Sequence, residues 1–145
     1  MSFSTWHNYG YGLQTDNINI KSVESLEELI GRAPKYQAHI KEYFMEREIA
    51  RPTIEDYLEL DEDFNNGLAS IMYEIIKETE GVELTACDDF ECCHYLLYQP
   101  LYPWQMKSED SQMTEERLDE IFERYFSIIT DDAISLDYLS PENGG

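Results

Sequence analysis

The chain has 145 residues, 42% hydrophobic and 13% aromatic, and its 31 acidic and 10 basic side chains leave a formal charge of −21. That length suits one domain, expected over residues 1–145, with a sizeable core; the aromatic content argues against a disordered acidic chain, which would lack the rings to build one. The charge argues against direct binding of DNA or RNA through a basic surface, and no run approaches the roughly 18 apolar residues a membrane-crossing helix needs.

Residues 1–20 are rich in Asn, Gly and aromatics. The opening MSFSTWHNYG has neither the basic flank nor the apolar centre of a secretory leader, so a cytoplasmic protein with reduced thiols is expected. Trp6, Tyr9, Tyr11 and Leu13, with Gly10 and Gly12 between, read as a short strand in which glycine marks close approach of another backbone. Ser22 is an N-cap for a helix from Val23 to Ile30, stopped by Gly31 and Pro34. Tyr36, Ile40, Tyr43 and Phe44 continue at helical spacing to about Ala50, and Pro52 ends that segment. Thr53 with Asp56 resembles a capping box and opens a short helix holding Tyr57 and Leu58.

Leu68, Ile71, Met72, Ile75 and Ile76 form one apolar stripe of a helix from Leu68 to Thr79, with Gly81 as its C-terminal stop. Val82, Leu84 and Ala86 then alternate with Glu83, Thr85 and Cys87, as in a half-buried strand. Asp88-Asp89 makes a turn, and the aromatic run Glu91 to Tyr98 returns until Pro100 and Pro103 stop it. Thr114 caps a last helix reaching about Ile129, with Leu118, Ile121, Phe122, Tyr125 and Ile129 on its apolar side. Asp131-Asp132 turns the chain into a strand over Ile134 to Leu139, followed by a frayed tail from about residue 141. The order predicts an α+β fold. The hairpin 82–98 and the C-terminal strand 134–139 would form a small antiparallel sheet, with the N-terminal strand as a candidate member and about four helices on one face.

The charge is unevenly placed. Residues 1–50 carry seven acids against five basic residues, a net of −2, whereas residues 51–145 carry 24 against five, a net of −19. Glu55, Asp56, Glu59, Asp61, Glu62 and Asp63 crowd six acids into nine residues. In the last helix Glu115, Glu116, Asp119, Glu120 and Glu123 recur at steps of three and four along one flank of the apolar stripe, with Arg117 and Arg124 on the other. Side chains so spaced lie about 5–6 Å apart, and each like pair costs a few tenths of a kcal/mol. A charge far beyond the magnitude of roughly 2–8 that solubility requires points to a strongly basic partner. Solvated helix faces would carry such runs as well.

With its two acidic clusters, small size and abundant tyrosine, the chain resembles the acidic, phage-encoded inhibitors that mimic DNA, several anti-CRISPR proteins among them. That resemblance is one of class and transfers neither topology nor residue roles. It implies a non-enzymatic inhibitor that occupies the Lys- and Arg-lined nucleic-acid channel of a basic protein such as a CRISPR effector, acting in a host's cytoplasm. The eleven acids just named would form the contact.

Two other functions are carried alongside it: an immunity protein that neutralises a cationic nuclease toxin, and a small enzyme using Cys87, Cys92 or His94. The spacing Cys87, Cys92, Cys93, His94 fits no paired zinc-ligand pattern, so neither metal nor cofactor is expected. Free buried thiols are the simpler reading, with a Cys87–Cys92 bridge across the hairpin left open. Tyr95, Tyr98, Tyr102 and Trp104 read as core and rim, with a binding surface as the alternative.

Overall fold

The computed structural model describes residues 5–7, 9–60, 66–89, 91–99 and 113–144. In chain order its elements are β1 (Thr5–His7), β2 (Gly10–Gln14), α1 (Val23–Gly31), α2 (Pro34–Glu46), α3 (Ile54–Leu58), α4 (Leu68–Glu80), β3 (Thr85–Asp88), β4 (His94–Tyr98), α5 (Glu115–Ile129), β5 (Asp137–Leu139) and β6 (Glu142–Gly144). The fold is α+β, with five helices among the described residues, the short α3 opened by Thr53 among them as expected.

Four antiparallel strands form the main sheet in the order β3-β4-β2-β5. The N-terminal strand is thus an inner strand, and its glycines fit that place. A Cβ on Gly12 would stand 1.9 Å from the carbonyl oxygen of Leu96, and one on Gly10 2.5 Å from that of Tyr98. Only a residue without a Cβ lets β2 approach β4 so closely.

The tail expected to fray does not. Residues 142–144 pair with β1, as His7 opposite Glu142 and Thr5 opposite Gly144. This ladder keeps the register of the β2–β5 pair, where Gly10 faces Leu139. Two antiparallel strands that extend past their pairing stay side by side, and Pro141, having no donor, falls in the gap between the ladders. The expected strand 134–139 shortens to its last three residues, while Ile134 and Leu136 pack against the core.

Local chemistry places the helix ends. Ser22 Oγ accepts from Ser25 N–H at 3.1 Å, and Thr114 Oγ1 accepts from Arg117 N–H at 3.1 Å. Thr53 and Asp56 form a complete capping box, and Gly81 ends α4 in the left-handed region at φ 68°. Helix α2 begins at Pro34, whose missing N–H is no loss in a first turn. It ends at Glu46 and not near Ala50, because Glu48 turns the backbone to φ 57°.

Leu13 and Leu96 of the sheet join Leu26 and Leu29 of α1, Ile71, Met72, Ile75 and Ile76 of α4, and Phe122, Phe126 and Ile129 of α5 in one core. Burying each such side chain contributes about 1.5–3 kcal/mol. Helix α4 packs on β3 and β4, and α1 lies against α5 and α2. The opposite face of the sheet is not simply solvated: Leu97 is fully buried there and Cys87 is buried. The adjacent leucines of β4 reflect a strand covered on both sides.

Candidate functional site

Helix α5 offers an ordered acidic surface. Its apolar stripe (Leu118, Ile121, Phe122, Tyr125, Phe126, Ile129) is buried, which fixes the direction in which every other side chain points. All five acids of the predicted row are exposed, and they divide into two groups. Glu115 and Asp119 flank the core edge and meet tyrosines of the sheet. The Tyr11 hydroxyl donates to Asp119 Oδ1 at 2.8 Å, and the Tyr138 hydroxyl donates to Glu115 Oε1. Tyr11 is thereby pushed up to about 12, first by that hydrogen bond and then by burial. Tyr138 is raised chiefly by its bond to Glu115.

Glu116, Glu120 and Glu123 project farther out and take part in no side-chain hydrogen bond or ion pair among the described residues. On the far flank Arg124 pairs with Glu80 of α4, which also accepts from the Tyr125 hydroxyl at 2.8 Å. The helix is therefore pinned on one side by a cation and on the other by phenols, while its outer carboxylates stay free.

The other cluster is organised differently. Glu55 and Glu59 are exposed at the two ends of α3. Asp56 is turned back on the chain, accepting from Thr53 N–H at 2.8 Å. Asp61, Glu62 and Asp63 lie outside the described residues.

The hairpin thiols and histidine sit around a loop that the sequence reading placed differently. The ladder runs Thr85–Asp88 against His94–Leu97, so the tip spans Asp89 to Cys93 and not Asp88-Asp89. Asp89 causes the shift: its carboxylate accepts from Glu91 N–H at 2.9 Å, Cys93 N–H at 3.0 Å and the Tyr95 hydroxyl at 2.7 Å. Those bonds, led by the one from Tyr95, hold Asp89 below the usual carboxylate range. Cys87 therefore lies opposite Tyr95, while Cys92 is in the loop at φ 63°.

All three thiols are free. Burial, aided by Asp88 and Asp89, pushes Cys87 up to about 11, and Cys93 is raised as well, first by desolvation. A raised thiol is a poor nucleophile and a poor metal ligand at neutral pH. His94 Nδ1 lies 3.1 Å from Asp16 Oδ1, and the same carboxylate accepts from His94 N–H, an arrangement that clips the end of β2 to the start of β4. Among the described residues no three His, Cys, Asp or Glu side chains converge as a metal site would require. Asp131 and Asp132 serve the loop before α1: Asp132 accepts from Asn19, and Asp131 pairs with Lys21 at 3.6 Å.

The aromatic run of the hairpin divides too, since Tyr95 and Tyr98 belong to the sheet and Tyr102 and Trp104 lie outside the described residues. The tyrosines that meet the acidic helix are others: Tyr11, read only as a strand residue, and Tyr138, which had no special signal beyond its place in the final strand. An open apolar groove of about 770 Å³ is bordered elsewhere by Ile40, Phe44 and Ile49 and by Tyr57 of α3. No helix among the described residues is long and apolar enough to cross a membrane. No protein-family model matches the chain, and neither a curated protein nor a solved structure matches it.

Proposed function

We propose that the protein is a non-enzymatic inhibitor that binds a basic, nucleic-acid-binding protein and blocks its nucleic-acid channel by charge mimicry. In its most specific form the reading is of an anti-CRISPR protein acting in a host's cytoplasm. One observation carries it. The outer carboxylates of α5, Glu116, Glu120 and Glu123, are exposed and have no side-chain partner among the described residues, on a helix whose other flank is tied down. Because packing already holds the helix backbone, only the side chains of this row remain to be ordered when it meets Lys and Arg. Charge complementarity of this kind mainly accelerates encounter and disfavours wrong partners, and salt weakens it.

Burial of Cys87, which keeps that thiol protonated, supports a non-enzymatic reading over one that uses it as a nucleophile. The test is affinity capture from the lysate of the protein's own host, followed by a nucleic-acid-binding assay on what is recovered. A nucleic-acid-binding protein should be captured, and added chain should compete with its DNA or RNA. Capture only of proteins that bind no nucleic acid, or binding that leaves nucleic-acid occupancy unchanged, would overturn the reading.

A further inference from the structure

We infer that the ring platform of Tyr9, Tyr11 and Tyr138, backed by Glu115 and Asp119, is a docking surface for arginine side chains of a basic protein segment. The inference rests on the function proposed above and names the partner's chemistry. Single exposed apolar side chains are ordinary, but rings that adjoin one another in an open patch mark interaction surfaces. Among the described residues Tyr9 (50% exposed), Met45 and Tyr138 (50% exposed) are the large hydrophobic ones left open, and two of the three meet here.

Tyr9 and Tyr138 stack with centroids 6.0 Å apart, and Tyr138 leans on Tyr11 at 5.0 Å. Tyr11 of β2 and Tyr138 of β5 reach α5 through their hydroxyls and so stand on the helix side of the sheet, and Tyr9 stacks on Tyr138. Two of the phenols donate to Asp119 and Glu115, which orients the carboxylates beside the rings without neutralising them. No basic side chain pairs with any of these five residues among the described ones.

This arrangement suits a guanidinium better than an ammonium. A planar guanidinium can lie on a tyrosine face while its edge donates to a carboxylate, whereas lysine offers a compact, strongly hydrated charge. The chain itself shows the stacking half of the contact, with Arg47 Cζ 3.6 Å above the Tyr43 ring. Single-stranded nucleic acid also stacks on aromatic rings, but it needs basic side chains along its backbone, and here its phosphates would face carboxylates.

The test titrates the intact chain with hexa-arginine, hexa-lysine and an oligothymidylate at one ionic strength, monitoring affinity and tyrosine ring signals. Hexa-arginine should bind about two- to fivefold more tightly than hexa-lysine, the range expected of an exposed cation–π contact. The Tyr9 and Tyr138 rings should shift, and the oligonucleotide should not bind. Tyr9→Ala, which removes no hydrogen bond, should abolish the arginine preference yet leave hexa-lysine binding and thermal unfolding unchanged. Glu116→Lys/Glu120→Lys/Glu123→Lys should weaken both peptides equally. Equal binding of the two peptides, or a preference that survives Tyr9→Ala, overturns this inference and leaves the charge-mimicry reading standing. Binding of neither peptide overturns both, and oligothymidylate binding at the rings assigns the platform to nucleic acid instead.

Discussion

The clusters on α3 and α5 look alike as strings of acids, yet the fold uses them differently. Helix α3 has five residues and α5 fifteen. In α3 the short length leaves the backbone dependent on its ends, so Asp56 is engaged in the capping box and, among the described acids of that cluster, Glu55 and Glu59 are the ones that face outward. In α5 the buried stripe of four turns holds the helix, Thr114 supplies the cap, and every acid of the row stays exposed. Acidic density becomes an organised surface only where tertiary packing, and not the acids themselves, fixes the backbone.

Removing the packing beneath α5 should have the largest effect. Phe126 is fully buried, and Phe126→Ala should cost about 3–5 kcal/mol in chemical denaturation while abolishing partner binding. Next comes the charge itself. Reversal of Glu116, Glu120 and Glu123 to Lys should lower partner affinity about tenfold or more and flatten its salt dependence, with thermal unfolding unchanged or slightly improved. The same reversal at Glu55 and Glu59 should change affinity much less. Equal losses from the two variants would erase the distinction between the clusters.

The caps give a smaller and more local contrast. Thr53→Ala and Thr114→Ala should each cost about 0.5–2 kcal/mol. Hydrogen exchange should show α3 opening in the first variant, whereas in the second only the first turn of α5 should lose protection, because its later turns are anchored in the core.

The smallest effect concerns the phenols. With its hydroxyl bonded to Asp119, Tyr11 is raised from the ordinary 10.0 to about 12, so the folded state keeps a proton that the unfolded chain releases. The associated stability is present below pH 10 and is lost as pH rises from about 10 to about 12. Asp119→Asn should return the Tyr11 ring titration towards the ordinary value, read by NMR of labelled tyrosine. An unchanged titration would mean that the pair does not form in solution.

Much of this architecture was legible in one dimension because its causes are local. The period of 3.6 in Leu68 to Ile76 and in Leu118 to Ile129, the caps Ser22, Thr53 and Thr114, and the stop at Gly81 depend on residues within a turn of one another. The α+β class followed from their order, and Gly10 and Gly12 announced a close backbone neighbour without naming β4. The acids of α5 were placed on one flank by the same helical arithmetic. What sequence order could not supply was any pairing between distant residues. The tip of the hairpin moved because one carboxylate, Asp89, bonds three donors at once. The tail became β6 because β5 had already brought it alongside β1. Tyr11 and Asp119, 108 positions apart, meet only because packing sets β2 against α5. Periodicity is a property of neighbours along the chain, and it says which face of an element is apolar. Which polar groups then stand within hydrogen-bond reach depends on how the elements pack, and that is decided by the shared core alone.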